Sequence, residues 1–460
     1  MDEKPREKFL RVQDARKMST EELFSILLGH GSPSRSVYDL SSEISIFLRN
    51  RPTGSITITD LEEFDGIGDV KAMQILSALE LGRRYFDRSM RPRLAEMDWD
   101  FADLKQADRQ RGVHFFHHYT AKFIPQIPSR IIQHYAQKKS VIVDPFMGSG
   151  TTLVEAKLNG CHSFGLDTNP LAVKISKAKT MKLTKSTLDE IDDFILWLTK
   201  NQKKMNNPSE LSTANLFPES DLWFRIDVSQ KIASILRVIQ NYSPEVRNFL
   251  EIGLSNLLKG MSNARMDSVT PTLPTSPFYI DRKHYNREVN NISREIPVFR
   301  RMLSQVRRMR EAILDFNKGK DDTLICEPIM GDARKLSSFV DHCDLVITSP
   351  PYWSAQNYNN IHKLSMGLFR METEIDQEIG QNGNSYLDDM NLVIMEIGKI
   401  LKGHFAIVMG HDENKLTHDK LFQLITSNGF TPVETITRQI SNQVSRAKQI
   451  KNEYIYIFEK

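Results

Sequence analysis

Two rhythms of apolar positions divide the chain. Up to about residue 87 they recur at helical spacing in short runs, and Ser19-Thr20-Glu21-Glu22 ahead of LFSILLG predicts a capping box at one helix start. In LEEFDGIGDVKAMQILSALELGRR, Gly66-Ile67-Gly68 separates two apolar-periodic helices and Lys71 opens the second, a helix-hairpin-helix pattern. Residues 88–112 lose that period, turn charged and contain Pro92, which predicts a linker. Residues 113–460 then form a second domain. It holds a strand at 140–144, a glycine turn, a helix TTLVEAKLN closed by Gly160, and a strand at 162–167. Strand-like runs return at 323–332, 344–349, 404–410 and 453–459. Between them, 180–320 reads as helical and polar, including SQKIASILRVIQ and PVFRRMLSQVRRMREAIL, with a proline-rich interruption at 270–278. The expected fold is therefore α/β with a helical insertion, preceded by a small all-α domain.

Composition narrows the class. A chain of 460 residues exceeds the usual single core, and 40% hydrophobic content can fill two or three. The charge of +3, from 61 basic and 58 acidic residues, permits a nucleic-acid partner without demanding one. Cys161, Cys326 and Cys343 are widely spaced and odd in number, against a disulfide framework or a thiolate zinc site, and no metal is expected. The charged start MDEKPREKFL and the lack of an apolar run near about 18 residues predict a cytoplasmic protein with no membrane partner.

Chemistry first appears at VIVDPFMGSGTTLVEA. Asp144 ends a strand, Phe146, Gly148 and Gly150 lie in the turn, and Thr151 opens a helix. Ligands of open α/β sheets sit at the carboxyl ends of strands, where glycines allow close approach. The turn lacks the Gly-Lys-Ser/Thr ending of a phosphate loop, and a carboxylate at Asp144 would repel pyrophosphate. Asp167, ending the next strand, is placed to accept from ribose hydroxyls. S-adenosylmethionine, with a ribose, an amino acid tail and no phosphate, satisfies both carboxylates. The extended string resembles motif I of S-adenosylmethionine-dependent amino-methyltransferases of DNA, and the resemblance implies a Rossmann-like class I methyltransferase fold with a mixed, mostly parallel sheet.

The same family carries a Ser/Asp/Asn-Pro-Pro-Tyr/Phe signature after its fourth strand, and DLVITSPPYW matches it at Ser349, Pro350, Pro351 and Tyr352. The residue types suit the chemistry. An exocyclic base amine is a poor nucleophile because its lone pair is delocalised, so the site must accept hydrogen bonds from it. Ser349 and the Pro350 carbonyl are the implied acceptors, held rigid by two prolines that donate no N–H. Tyr352 offers a face for a base swung out of the duplex, worth roughly 1–3 kcal/mol. No Pro-Cys dipeptide occurs, which excludes the cytosine carbon-5 class.

Other positions follow from the resemblance. FFHHYTAKFIPQIPSRII is similar to the segment that covers the methionine end of the cofactor, with Thr120, Lys122 and Phe123 matched. Asp332 matches the acid that pairs with the cofactor adenine, although a helix N-cap would read the same. NYNNIHKLSMGLF resembles a segment that follows the tetrapeptide in a subset of these enzymes, which turns attention to His362 and Lys363. Target recognition is commonly placed in insertions like 180–320, where Arg307 and Arg308 stand among five arginines suited to phosphate or to plain solvation.

Residues 5–86 resemble the helical amino-terminal domain of RadC-type proteins, whose metallopeptidase-like half is absent here. A hairpin turn at Gly66, Ile67 and Gly68 would cradle one phosphate with Lys71 adding charge; a packing or dimerisation role is the alternative. The whole predicts a site-specific methyltransferase on double-stranded DNA, with a cognate restriction nuclease as a possible partner. Ser349 points to cytosine N4. Adenine N6 is the alternative, and an RNA guanine-N2 methyltransferase a more distant one.

Overall fold

A computed structural model describes the chain outside residues 1–3, 14, 16–17, 50–55, 87–92, 102–103, 106–107, 109, 121, 202–214, 266–267, 274–295, 352–357, 372–378, 380–384, 411–415 and 440–451. Tyr352, Trp353 and most of the proline-rich stretch lie outside the described residues. The chain separates into two compact units, Met1–Arg93 and Leu94–Lys460.

The first unit is helical: α1 (Pro5–Val12), α2 (Thr20–Leu28), α3 (Val37–Arg49), α4 (Ile58–Glu62) and α5 (Asp69–Phe86). The capping box forms as its sequence requires, the Ser19 hydroxyl accepting from the Glu22 N–H at 3.2 Å and Glu22 Oε2 accepting from the Ser19 N–H at 2.8 Å. Leu40, Ile44, Leu61 and Ile75 are fully buried in a core of this unit's own. Gly66 turns the hairpin at φ 94°, and a Cβ there would lie 2.9 Å from that of Ser32.

The second unit is built on a seven-stranded sheet. Its main elements are α6 (Gln126–Tyr135), β1 (Val141–Asp144), α7 (Thr151–Leu158), β2 (His162–Asp167), α8 (Pro170–Thr180), α9 (Lys185–Asn201), α10 (Ile226–Ile239), α11 (Pro244–Met261), α12 (Val298–Asn317), β3 (Cys326–Met330) and β4 (Cys343–Thr348). There follow α13 (Lys363–Leu368), α14 (Tyr386–Ile400), β5 (Leu401–Gly410), α15 (Leu416–Ser427), β6 (Thr431–Gln439) and β7 (Asn452–Glu459). Strand order is β3-β2-β1-β4-β5-β7-β6, parallel except for β7, which runs against both neighbours. Connections leave β1 towards β2 on one side, and the chain returns at β4 on the other, so the topological switch point lies between β1 and β4.

Alternation along the central strands fills both faces. Ile142, Leu345 and Ile347 pack with α6, whereas Val143 and Val346 pack in the core that holds α14 and α15. The insertion helices α9 to α12 build a further core with α8, residues 113–119 and α13, in which Phe116, Phe194, Phe249 and Met309 are fully buried.

Two expectations need correction. Much of the expected linker is part of the second unit: Leu94, Trp99 and Phe101 are buried with Ile127 and Ile131, and the Gln439 N–H donates to Asp100 Oδ1 at 2.6 Å. Its charges hid three anchoring side chains. Strand β6 was not anticipated, because this edge strand is mostly exposed and carries Pro432.

Candidate active site

Strand β1 delivers Asp144 to the switch point, and the turn that follows needs backbone geometry few residues tolerate. Gly148 has φ 48° and Gly150 φ 74°, and a Cβ on Gly150 would meet the Ser176 hydroxyl at 2.7 Å. The turn is held from two sides. Asp167 Oδ2 accepts from the Gly148 N–H at 2.9 Å, while α8 donates to turn carbonyls through Ser176 Oγ to Gly148 at 3.0 Å and Lys179 Nζ to Ser149 at 2.8 Å. Lys179 is fully buried, and burial together with the nearby Lys122 holds its ammonium pKa well below the usual value.

Asp144 is engaged by donors of the protein itself. It is buried, with Oδ1 accepting from the Thr348 hydroxyl at 2.6 Å and the Phe146 N–H at 3.1 Å, and Oδ2 accepting from the Thr152 hydroxyl at 2.7 Å. Burial pushes its pKa up to about 6 against the pull of those donors. The carboxylate thus faces the protein's own hydroxyls. Asp167 stays half-buried at the end of β2, where its Oδ1 also accepts from the Asn169 N–H at 2.8 Å.

Of the segment ahead of β1, Thr120 has a buried hydroxyl with no partner among the described residues. The Lys122 ammonium reaches the His114 carbonyl at 3.3 Å, and burial lowers its pKa to about 8. Phe123 packs in the core with Ile127, Ile142 and Ile347. Tyr119 lies over the glycine turn, 3.3 Å from where a Gly148 Cβ would stand, and stacks on His362. Phe146 packs beside the core of α14, and Thr151 is buried at the start of α7.

Asp332 caps the 3-10 helix Ala333–Ser338 by accepting from the Arg334 N–H at 2.9 Å, and is ion-paired with Arg334, which also binds Asp389. The tetrapeptide leaves β4 directly after Thr348, with Ser349 half-buried, Pro350 buried and Pro351 half-buried. Register pairs Ile142 with Leu345 and Val143 with Val346, so the strand ends carrying Asp144 and Ser349 are neighbours.

The candidate DNA contacts are partly engaged already. Arg308 lies 4.4 Å over the Phe115 ring and Arg307 donates to the Thr199 hydroxyl at 3.5 Å, both guanidinium-bearing side chains remaining exposed. In the first unit, Lys71 turns its ammonium onto the carbonyls of His30 and Gly66, each at 2.8 Å, rather than outward. Ile67 is buried and its N–H donates to the Phe64 carbonyl, and Asp69 hydrogen-bonds Glu62, raising the Glu62 pKa. That turn is less electropositive than its sequence implies. Among the described residues, no cluster of three His, Cys, Asp or Glu side chains could hold a metal, and no helix is long and apolar enough to cross a membrane.

A 3-2-1-4-5-7-6 sheet with a reversed seventh strand and a glycine turn at the switch point defines a class I methyltransferase. The DNA methylase family of N6/N4 type matches residues 71–178 and 343–460, and the UPF0758 N-terminal family matches residues 1–73. The chain is thus similar to N6/N4 DNA methylases, with a match to the UPF0758 N-terminal family in front. It is 25% identical over 326 residues to type II methyltransferase M.MvaI of Kocuria varians, covering 66% of this chain and 69% of that one. It is 23% identical over 449 residues to type II methyltransferase M.MjaII of Methanocaldococcus jannaschii, covering 78% and 83%. A Thermus thermophilus protein solved in complex with S-adenosyl-L-methionine aligns at 23% identity over 28% of this chain and 53% of that one, with a TM-score of 0.19.

The family uses S-adenosylmethionine, and the residues present fit it. Ser149 Oγ, Asn169 Nδ2 and Thr120 Oγ1 are buried at or beside the glycine turn without a partner among the described residues, as donors and acceptors awaiting a polar ligand would be. Asp167 supplies the half-buried carboxylate suited to ribose hydroxyls. Thr348, Tyr119, Ser176 and Lys179 were not singled out from sequence. Only Lys179 left a trace there, as a lysine inside an otherwise apolar helix face.

Proposed function

We propose that the protein methylates the N4 amine of cytosine in double-stranded DNA, with the base swung out of the duplex. The observation that carries this reading is Ser349 heading the tetrapeptide at the end of β4, beside the glycine turn across the switch point. Bound S-adenosylmethionine supplies an electrophilic methyl group. Everything else is positioning by this chain. The Ser349 hydroxyl and Pro350 carbonyl accept from the amine and localise its lone pair, and Pro350 and Pro351 keep those oxygens from reorienting. Tyr352 stacks on the extruded base. Asp167, Thr120, Lys122, Ser149 and Asn169 hold the cofactor, with Asp332 at its adenine end.

Arg307 and Arg308 meet phosphates beside the target, and the first unit adds sequence-independent affinity through the start of α5. The likeness to type II methyltransferases supports a cognate restriction nuclease as partner and the cytoplasm as the place of action. The test is expression in a methylation-deficient host followed by mass spectrometry of its DNA nucleosides. N4-methylcytosine supports the reading, N6-methyladenine alone moves it to the other base, and unmodified DNA with methylated RNA ends it.

A further inference from the structure

The β1–β4 ladder ends at Val143 and Val346, yet the chemistry begins beyond it. What joins the two strand ends there is a side-chain rung. The Thr348 hydroxyl donates to Asp144 Oδ1, the residue immediately before Ser349 thereby gripping the residue immediately before the glycine turn. The other carboxylate oxygen takes the hydroxyl of Thr152, on the first turn of α7 beyond the glycines. Asp144, Thr152 and Thr348 are at most 2% exposed, so neither hydroxyl has a water alternative in view. One carboxylate therefore ties together the strand before the cofactor turn, the helix after it and the strand that presents the tetrapeptide.

We propose that Thr348 is a positioning residue for methyl transfer, acting through Asp144 to fix Ser349 against the cofactor turn. The proposal rests on the amino-methyltransferase reading of the site. Prolines fix the tetrapeptide internally but not its departure angle from β4, and the rung at Thr348 supplies that angle. Geometry matters at this scale, since a displacement of about 1 Å can lower turnover by roughly 100-fold.

The rung depends on ionisation. An ionised Asp144 accepts from both hydroxyls and from the Phe146 N–H; protonated, one oxygen becomes a donor and the tie loosens. The groups facing it are Thr348 on β4, Thr152 on α7 and Phe146 in the turn, and burial with these three uncharged donors accounts for its pKa of about 6. Turnover should therefore fall as pH drops through about 6. Removing a hydroxyl donor leaves the carboxylate harder to ionise and moves that acid limb upward.

The experiment measures kcat, KM and pH profiles on DNA from a methylation-deficient host for the full chain carrying Thr348→Val, Thr348→Ala or Thr348→Ser, with cofactor affinity measured separately. Expected for Thr348→Val are a loss of about tenfold or more in kcat, an acid limb higher by about one pH unit, and cofactor affinity within about threefold of wild type. Thr348→Ser restores both. If Thr348→Val fails to fold, Thr348→Ala carries the same expectations. An unmoved acid limb, or kcat and cofactor affinity falling together, overturns the proposal. A wild-type protein that does not methylate DNA defeats the functional reading itself, whereas active wild type with an indifferent Thr348→Val defeats this inference alone.

Discussion

The rings of Tyr119 and His362 stack with centroids 5.0 Å apart and planes 11° from parallel. Tyr119 comes from the segment ahead of β1 and covers Gly148; His362 comes from beyond the tetrapeptide and precedes α13. His117 lies 5.9 Å from the same His362 ring, and its Nε2 meets the Ser255 hydroxyl of α11 at 2.8 Å, which reaches Ser365 on α13 at 2.7 Å. The segment ahead of β1, the insertion and the post-tetrapeptide helix thus share one buried network.

His362→Ala should release Tyr119 from its stack and weaken cofactor binding by about three- to tenfold, the range of an aromatic pair. His362→Phe should retain most of the affinity. Calorimetric titration with S-adenosylmethionine checks both.

The same histidines set an acid limit on stability. Burial lowers the His362 pKa to about 4, with the charge of His118 adding to the effect, and burial with the charge of His362 holds that of His117 well below 6.5. Unfolded, both take up protons below about 6.5. The unfolded chain then binds more protons than the native one, so stability falls as pH drops from 6.5 towards 4. Asp144 works in the opposite sense, its raised pKa favouring the native state as pH falls through about 6, but it is one group against two. Urea unfolding at pH 7.5 and 5 should show the lower midpoint at pH 5, and His117→Gln should reduce the difference.

Asp167 accepts from the Gly148 N–H in the glycine turn and from the Asn169 N–H at the start of α8. Asp167→Ala should weaken cofactor affinity by about tenfold or more, with turnover at saturating cofactor much less affected. Equilibrium binding and steady-state kinetics separate the two effects.

Much of this was legible in the sequence, and the exceptions have physical causes. Parallel central strands β1 and β4 are nearly continuous apolar runs, so they stand out; β6 is exposed and proline-bearing, so it does not. A carboxylate at a strand end reads the same whether it faces a ligand or a hydroxyl, and the hydroxyl that claims Asp144 lies 204 residues away. Lys71 shows a similar limit. Its charge is visible in sequence, whereas the carbonyls of His30 and Gly66 that take it up exist only once the turn forms.

With the Lys71 ammonium held on the carbonyls of His30 and Gly66 and Asp69 beside Glu62, the first unit should contact no more than about one phosphate. Removing residues 1–93, a unit with its own core, should weaken specific and random DNA binding alike and flatten the salt dependence by about 0.9 in log-log slope if it holds one phosphate. The methylated sequence should not change. Titrations over a salt series with methylation-site sequencing check this, and an unchanged slope would assign the unit to packing or dimerisation.

The central claim is that Ser349 directs a methyl group to cytosine N4. Its most direct test incubates the purified protein with labelled S-adenosylmethionine and DNA from a methylation-deficient host, then resolves the nucleosides. The account predicts label in N4-methyldeoxycytidine for the wild type, and at least about 100-fold less for Ser349→Ala at near-normal cofactor affinity. Label confined to N6-methyldeoxyadenosine, or a Ser349→Ala variant as active as wild type, would contradict it.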